Sequence, residues 1–377
     1  MADQLRVGLN LLFLRDRSGG IGRVALELAH ALADRSDVEL ELFTGAEPRL
    51  ELLELGRARI TRVPGGGRPG HLGTLSEYAA LPAAAIWRRV DVLHSVTNAG
   101  PVMIPGVASV VSVHDLIWRQ AGAAWGDEAA QRVTERGVRR AVRRADCVVT
   151  GSQDAASGLA AAFPGSGRPI AVVPNGVRAV SVPEGAGDAA RARFELGGGP
   201  VLLCVAQKRP YKNHEAVIRA LAALNDETAT LVLPGAPTEH ESTLRNLAAD
   251  LGVSDQVRFL DWVSDAELDG LYAASTVVMV PSRIEGFGLP VLEAMVRGAP
   301  VICSSTSALG EVAGDAALLV DPDDQAQIDA ALRRIVAEPE LRAELIARGY
   351  ARAAEFTWSR TAEETVAAYR RAIASRA

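Results

Sequence analysis

Two glutamates with seven residues between them stand in the segment Glu285-Gly286-Phe287-Gly288-Leu289-Pro290-Val291-Leu292-Glu293. It follows an apolar, strand-like run, TVVMVPS. Pro290 suits the first turn of a helix, where its missing N–H costs no hydrogen bond. Glu285 then lies on the loop before the helix and Glu293 about one turn inside it. The N–H groups of Gly286 to Leu289 lack intrahelical acceptors at such a start and can meet an oxyanion. This inventory suits a sugar nucleotide: one carboxylate for sugar hydroxyls, amides for phosphate, and a second carboxylate for ribose. Paired carboxylates also hydrolyse glycosides, but there the carboxyl–carboxyl distance decides, and a sequence does not give it. The helix dipole alone favours one Glu near a helix start. It does not account for Gly-Phe-Gly with a second Glu in register.

The second chemical signal is compositional. Lys+Arg total 40, yet Lys208 and Lys212 are the sole lysines, and both fall in Ala206-Gln207-Lys208-Arg209-Pro210-Tyr211-Lys212-Asn213. Lysine presents a compact, strongly hydrated point charge, whereas arginine is a planar fork. A chain that otherwise uses Arg and keeps Lys in one loop before a helix points to a diphosphate held there. A solvated turn is the competing reading, and it applies more to Lys208 than to Lys212.

A third signal lies near the start of the chain. Gly19, Gly20 and Gly22 precede an amphipathic stretch, and Gly20-Ile21-Gly22-Arg23-Val24-Ala25 fits the dinucleotide fingerprint G-x-G-x-x-A. The turn is long for that purpose, and Phe43-Thr44 stand where an acidic residue should end the second strand. A flexible helix-capping turn and a ligand-lining loop are the alternatives. Two histidines end strand-like runs: His94 in DVLHS and His114, followed by Asp115, in VSVHD. Each could line a cleft, and each could instead pack or cap.

Alternating elements must position these residues. Strands are expected at 6–14, 38–44, 58–63, 91–97, 108–114, 146–151 and 169–174, with helices at 21–33, 72–89, 128–144 and 154–163. The segment 181–199 reads as a linker with a short helix. Strands then recur at 201–207, 229–234, 257–262, 276–281 and 300–304, with helices at 213–224, 239–251, 265–274 and 289–297. From 325 onward the chain reads as helical, with a break near 356–358. This alternation predicts an α/β chain of two doubly wound, Rossmann-like parallel sheets facing across a cleft. Ligands of such sheets bind beyond the carboxyl ends of the strands.

The 377 residues suffice for two cores, and 48% hydrophobic with 23% charged residues describes a globular chain. A net charge of -6 argues against nucleic acid as a partner. Cys147, Cys204 and Cys303 sit singly in apolar runs and read as buried thiols in a reducing, cytoplasmic setting. Neither a signal peptide nor a long apolar span is expected. The helix around 132–144 carries Arg132, Arg136, Arg139, Arg140, Arg143 and Arg144. A solvated face is one reading and a weak contact with an anionic membrane surface another.

The stretch EGFGLPVLE resembles the E-x7-E motif of retaining GT-B glycosyltransferases of family four. Gly19-Gly20-Ile21-Gly22-Arg23, Val113-His114-Asp115, Val173-Pro174-Asn175-Gly176-Val177, Pro210-Tyr211-Lys212-Asn213, VRFLDWV at 257–263, Gly310-Glu311 and Leu319-Val320-Asp321-Pro322 follow in the family's order. The resemblance spans nearly the whole chain. It implies an acceptor-side domain over 1–180, rejoined by a helix at about 358–377, and a donor-binding domain over 181–357. It implies transfer of a hexosyl group from a nucleoside diphosphate sugar to a glycan, lipid-linked or small-molecule acceptor. Glu285 would bind the donor sugar, Glu293 the ribose, and Lys212 the diphosphate. Gly286, Phe287, Gly288 and Leu289 would complete the donor grip, Trp262, Val263 and Leu268 would surround the base, and Gly20 and His114 would approach from the first domain. Asp115 and His94 are expected to line the cleft. The family often has Arg-Lys-Asn where Tyr211-Lys212-Asn213 stand, so Arg209 or Lys208 would supply the second phosphate cation. No metal-binding acidic motif stands at a strand end; Asp321-Pro322-Asp323-Asp324 reads as a turn. The expected chemistry is therefore metal-independent front-face transfer. A GT-B epimerase, a nicotinamide oxidoreductase and a non-catalytic sugar-nucleotide module are the rival readings.

Overall fold

The computed structural model describes residues 4–14, 19–67, 71–122 and 128–376. The chain forms two compact units. The first comprises residues up to Arg119, residues 128–176, and the chain from Thr357 onward. The second runs from Val177 to Phe356, with a short segment beginning at Gln120.

In the first unit seven strands pair in parallel: β1 (Leu5–Asn10), β2 (Val38–Thr44), β3 (Arg59–Arg62), β4 (Val92–Ser95), β5 (Ala108–Ser112), β6 (Cys147–Thr150) and β7 (Ile170–Val172). Their order is β3-β2-β1-β4-β5-β6-β7, so the winding reverses between β1 and β4. β4, β5 and β6 are buried along their whole length, as strands covered on both faces must be. The helix Gly19–Ala33 turns Val24, Ala25, Leu28, Ala29 and Leu32 inward at helical spacing. Beside it lies the helix Trp358–Ala374, capped by the Thr357 hydroxyl and packed also on β4, β5 and β6. The helical stretch expected at 72–89 is present, but a π-helical turn at Ser76–Ala80 interrupts it. Pro82 follows at the start of the next α segment; it has no N–H to return to residue 78, which favours a wider turn there.

The second unit has six parallel strands: β8 (Val201–Leu203), β9 (Thr230–Leu233), β10 (Val257–Phe259), β11 (Val277–Val280), β12 (Val301–Ser304) and β13 (Leu318–Val320). The order β10-β9-β8-β11-β12-β13 reverses between β8 and β11. The two-residue period of a strand divides the core. Leu203, Val278, Val280 and Val301 pack on one face with Val291, Leu292 and Leu309. Leu202, Cys204, Val277, Met279 and Ile302 pack on the other with Val217, Leu221, Ile328 and Leu332. The short helix expected in 181–199 is Ala186–Arg193. It is part of the unit's body: it packs on the helix Asp265–Ala274, so closely that a Cβ at Gly270 would stand 2.8 Å from the Ala186 carbonyl oxygen. β13 was not anticipated, and the helical tail breaks at Glu338 as well as before Trp358.

Candidate functional site

The reversal between β8 and β11 separates the loops at their carboxyl ends, the usual opening for a ligand in an open α/β sheet. The loop after β8 carries Lys212 on a single 3-10 turn, Pro210–Lys212, with Arg209 half-buried just before it. The loop after β11 carries Glu285. Lys212 Nζ lies 2.6 Å from Glu285 Oε1, with the side chains 17% and 10% exposed. The Ser282 hydroxyl donates to the same oxygen at 2.8 Å. A desolvated carboxylate fixed by a cation and a hydroxyl has a defined direction, which a lone surface glutamate lacks.

The two loops are fastened together. Arg283 N–H donates to the Tyr211 carbonyl at 2.9 Å, and the Arg283 guanidinium pairs with Asp323 at 2.7 Å. Asn213 is buried in the left-handed region at φ 59. Its amide donates to the Pro281 carbonyl at 3.2 Å and the Pro322 carbonyl at 2.8 Å. Asn213 thus joins the loops after β8, β11 and β13.

Gly288 begins the helix Leu289–Met295 with φ 106, and a Cβ there would fall 2.6 Å from Leu309 Cδ2. Only glycine tolerates that combination. Pro290 occupies the first turn as expected. Gly286 is half-buried, while Phe287 is buried and meets the Phe356 ring edge-on at 5.9 Å. Glu293 points into the unit: it is 8% exposed and accepts from the Tyr272 hydroxyl at 3.3 Å. Arg297 stacks on Tyr272 and pairs with Asp269 at 2.6 Å, which steadies that wall.

Beyond β10, Trp262 is 46% exposed, Val263 half-buried and Leu268 buried. A capping box between Ser264 and Glu267 starts the helix Asp265–Ala274 directly after Trp262-Val263. This fixes where the exposed indole can lie.

Lys208 does not share the setting of Lys212. Its side chain is 0% exposed, and its ammonium donates to the backbone carbonyls of Gly235 and Leu260. Burial pushes its pKa below the ordinary lysine value, and nearby Glu241 opposes that. The expectation that Lys208 offers a phosphate cation is therefore corrected: its donors face the protein interior.

In the first unit, Gly20 is exposed near the start of its helix with open space around its α-carbon. His114 lies just past β5. Its N–H is held by Asn98 at 2.9 Å, and its Nε2 donates to the Val96 carbonyl at 2.7 Å. That bond places the proton on Nε2 and leaves Nδ1 as an acceptor. Burial lowers the His114 pKa, against the Val96 carbonyl and Asp115, so the ring is neutral near pH 7. Asp115 turns back to accept from the Ile117 N–H at 3.0 Å and shapes the loop. His94 is deeply buried, yet it shares the wall of a small pocket with His114, Ser112 and Asn175. It is 1% exposed, with Nδ1 2.7 Å from the Tyr369 hydroxyl and Nε2 2.9 Å from Ser112 Oγ. Burial takes its pKa down to about 3.

Sequence reasoning missed Ser282, Arg283 and Tyr272, which hold the two glutamates and their loops. It also took Asn213 as part of a motif and not as a junction. Asn213 precedes a helix, where asparagine usually caps. Its side chain crosses to other loops instead, a choice no local pattern announces.

The chain matches two family descriptions, Glycosyltransferase Family 4 over residues 18–179 and Glycosyl transferases group 1 over residues 188–352. It is 33% identical over 95% of its length to a D-inositol 3-phosphate glycosyltransferase of Acidothermus cellulolyticus, covering 87% of that protein. It is 35% identical over 47% of its length to an O-antigen chain mannosyltransferase B of Escherichia coli, covering 48% of it. Among solved structures, sucrose-phosphate synthase of Thermosynechococcus elongatus superposes with TM-score 0.76 at 20% identity, over 97% of this chain and 98% of that one. An Anabaena protein solved with UDP and glucose gives TM-score 0.75 at 19% identity, over 97% and 99%. Its two parallel-sheet, Rossmann-like units are those of the GT-B fold, and with its full-length relatives above 30% identity the chain belongs to the family-four, group 1 glycosyltransferases.

Proposed function

We propose that this protein transfers a hexosyl group from a nucleoside diphosphate sugar to an acceptor hydroxyl, with retention at the anomeric carbon and without a metal ion. The observation that carries the reading is the Lys212–Glu285 pair, 2.6 Å apart beside the β8/β11 reversal. Lys212 supplies positive charge where the leaving diphosphate gains negative charge, and the helix start at Leu289 adds amide donors. Glu285, held by Ser282, accepts from donor sugar hydroxyls. Glu293 takes the ribose, Trp262 and Val263 flank the base beside Leu268, and Arg209 reinforces the phosphate charge. Within the first unit, the Nδ1 acceptor of neutral His114 and the exposed backbone at Gly20 are the groups proposed to serve sugar hydroxyls.

In the step itself the bond from the anomeric carbon to the diphosphate oxygen breaks, and a bond to the acceptor oxygen forms on the same face. The acceptor proton passes to the departing diphosphate. Among the described residues no group of three or more His, Cys, Asp or Glu is placed to hold a metal ion, and a chelator test decides whether transfer needs one. A relative named for D-inositol 3-phosphate and a fold neighbour bound to UDP make phosphorylated polyols and UDP-sugars early choices as acceptors and donors. Among the described residues no helix is long and apolar enough to cross a membrane. The helix Glu128–Arg144 exposes its six arginines, two of them paired with Glu128 and Glu135, so a weak anionic-membrane contact is a secondary part of the reading.

Thermal-shift titration with GDP, UDP and dTDP tests the donor site, and the anomeric configuration of the product, read by NMR, tests retention. Chelator should leave the rate unchanged. Glu285→Ala should abolish transfer in a folded protein; full activity in that variant would overturn the assignment. Product from donor alone would favour the epimerase, and binding without turnover on any acceptor a non-catalytic module.

A further inference from the structure

The loop after β8 treats its two lysines in opposite ways. Lys212 keeps part of its side chain in solvent, whereas Lys208 is wholly enclosed. Burying an ammonium is costly unless acceptors surround it. The acceptors of Lys208 come from two other loops. Gly235 stands in the loop after β9 and Leu260 in the loop after β10, and Lys208 Nζ donates to both carbonyls, with Glu241 Oε2 3.8 Å away. The junction is reinforced around the lysine. The Thr238 hydroxyl donates to the Lys208 carbonyl, and Gly235 N–H donates to the Asp261 carbonyl at 3.2 Å. Gly235 has φ 138 and lies so near Ala206 that a Cβ would collide with its carbonyl. Three neighbouring strand-end loops therefore meet at one charged nitrogen. Leu260 is two residues from Trp262, and Lys208 is four residues from Lys212.

We propose that Lys208 is a positioning residue that sets the spacing between the Trp262-Val263 loop and the Lys212 loop, so that one nucleoside diphosphate can engage both. The proposal rests on the donor-site reading given above. A ligand with a base at one end and phosphates at the other gains from both ends only if the two subsites are held at its own spacing. Loosening one loop makes the second contact carry an ordering cost. The geometry also says which loop would loosen. The phosphate side of the junction stays fastened through Asn213 to the loops after β11 and β13, and through Arg283 to Tyr211. The base side, after β9 and β10, is joined to it at Lys208.

The experiment replaces Lys208 by Met, of similar length and without the charge. Calorimetry gives Kd for whichever of GDP, UDP and dTDP the native protein binds most tightly, and amide hydrogen exchange maps the change. Kd should rise about tenfold or more. Exchange should accelerate in 234–240 and 260–264 and stay near native in 209–213 and 281–288. A Kd within about twofold of native, or exchange raised evenly across the unit, would overturn the proposal. If Lys208→Met does not fold, Thr238→Val severs a neighbouring link in the same junction and is judged by the same two readouts, with Thr238→Ser as the rescue. A native protein that binds none of the three nucleotides would bring down the donor-site reading and this proposal together; native binding with an unaffected variant would bring down this proposal alone.

Discussion

Removing either half of the Lys212–Glu285 pair should cost stability as well as activity, and a double-mutant cycle separates the two. At 2.6 Å, with side chains 17% and 10% exposed, the charges attract by about 6 kcal/mol at an effective dielectric constant of about 20. Desolvation of both groups offsets most of that. What remains is the penalty of leaving one charge behind. In Lys212→Met, Glu285 keeps the Ser282 hydroxyl but loses its cation, and about 2 kcal/mol should be lost. Glu285→Gln should cost a similar amount, because the Lys212 ammonium then faces a neutral amide. The double variant removes both charges, so it should be less unstable than the sum of the singles by about 1–2 kcal/mol. Urea unfolding followed by intrinsic fluorescence measures all four proteins. Transfer should be lost in both singles and stay lost in the double, since matched neutral groups restore packing but not phosphate charge. Single costs that simply add, within about 0.5 kcal/mol, would show that the pair is not an energetic unit. Recovery of transfer in the double variant would remove Lys212 from the chemistry.

Acid sensitivity should follow from two imidazoles. Burial, the largest cause for each, holds His94 and His214 down to about 3, so the unfolded chain takes up protons below about pH 6.5 while the folded chain does not. Their stability contribution is complete above that pH and falls as pH drops toward 3, by about 1.4 kcal/mol per unit for each. His94→Gln should flatten the dependence of the urea midpoint on pH between about 6 and 4, and an unchanged slope would contradict this account. Gly288→Ala combines φ 106 with a 2.6 Å approach to Leu309 and should cost about 1–3 kcal/mol while weakening nucleotide binding; a variant of native stability would mean that the helix start yields easily. Burial pushes the thiols of Cys147, Cys204 and Cys303 up to about 11, 12 and 12. A thiol reagent at neutral pH should find none of them in the native protein and all three in denaturant, and prompt native reaction would refute their burial.

Much of the frame was legible because hydrophobic period and length are local properties. Seven strands of the first sheet and five of the second showed as apolar runs. β13 did not: Leu318-Leu319-Val320 follows an alanine pair and runs straight into the acidic turn at 321–324. The site was legible where a residue type had few other uses: glycine at 288, proline at 290 and a carboxylate at 285. Side-chain direction was not. Lys208 and Lys212 share a loop, yet the Lys208 ammonium turns inward to the Gly235 and Leu260 carbonyls while Lys212 pairs with Glu285. His94 and His114 both end apolar runs, but His94 lies within β4 and packs on Tyr369 from far along the chain, whereas His114 lies past the end of β5. Contacts of that range leave no trace in a short window of sequence.

The helix Trp358–Ala374 belongs to the first unit although the whole second unit separates it from the rest of that unit. It covers β4, β5 and β6, and through Tyr369 it supplies a partner to His94. On a ribosome the first unit therefore emerges early but stays open along this seam until everything from 177 to 356 has been made. The second unit, begun later, can close its core sooner. The half of the molecule translated first is the half completed last, and during that interval its uncovered apolar strands are what a chaperone would find.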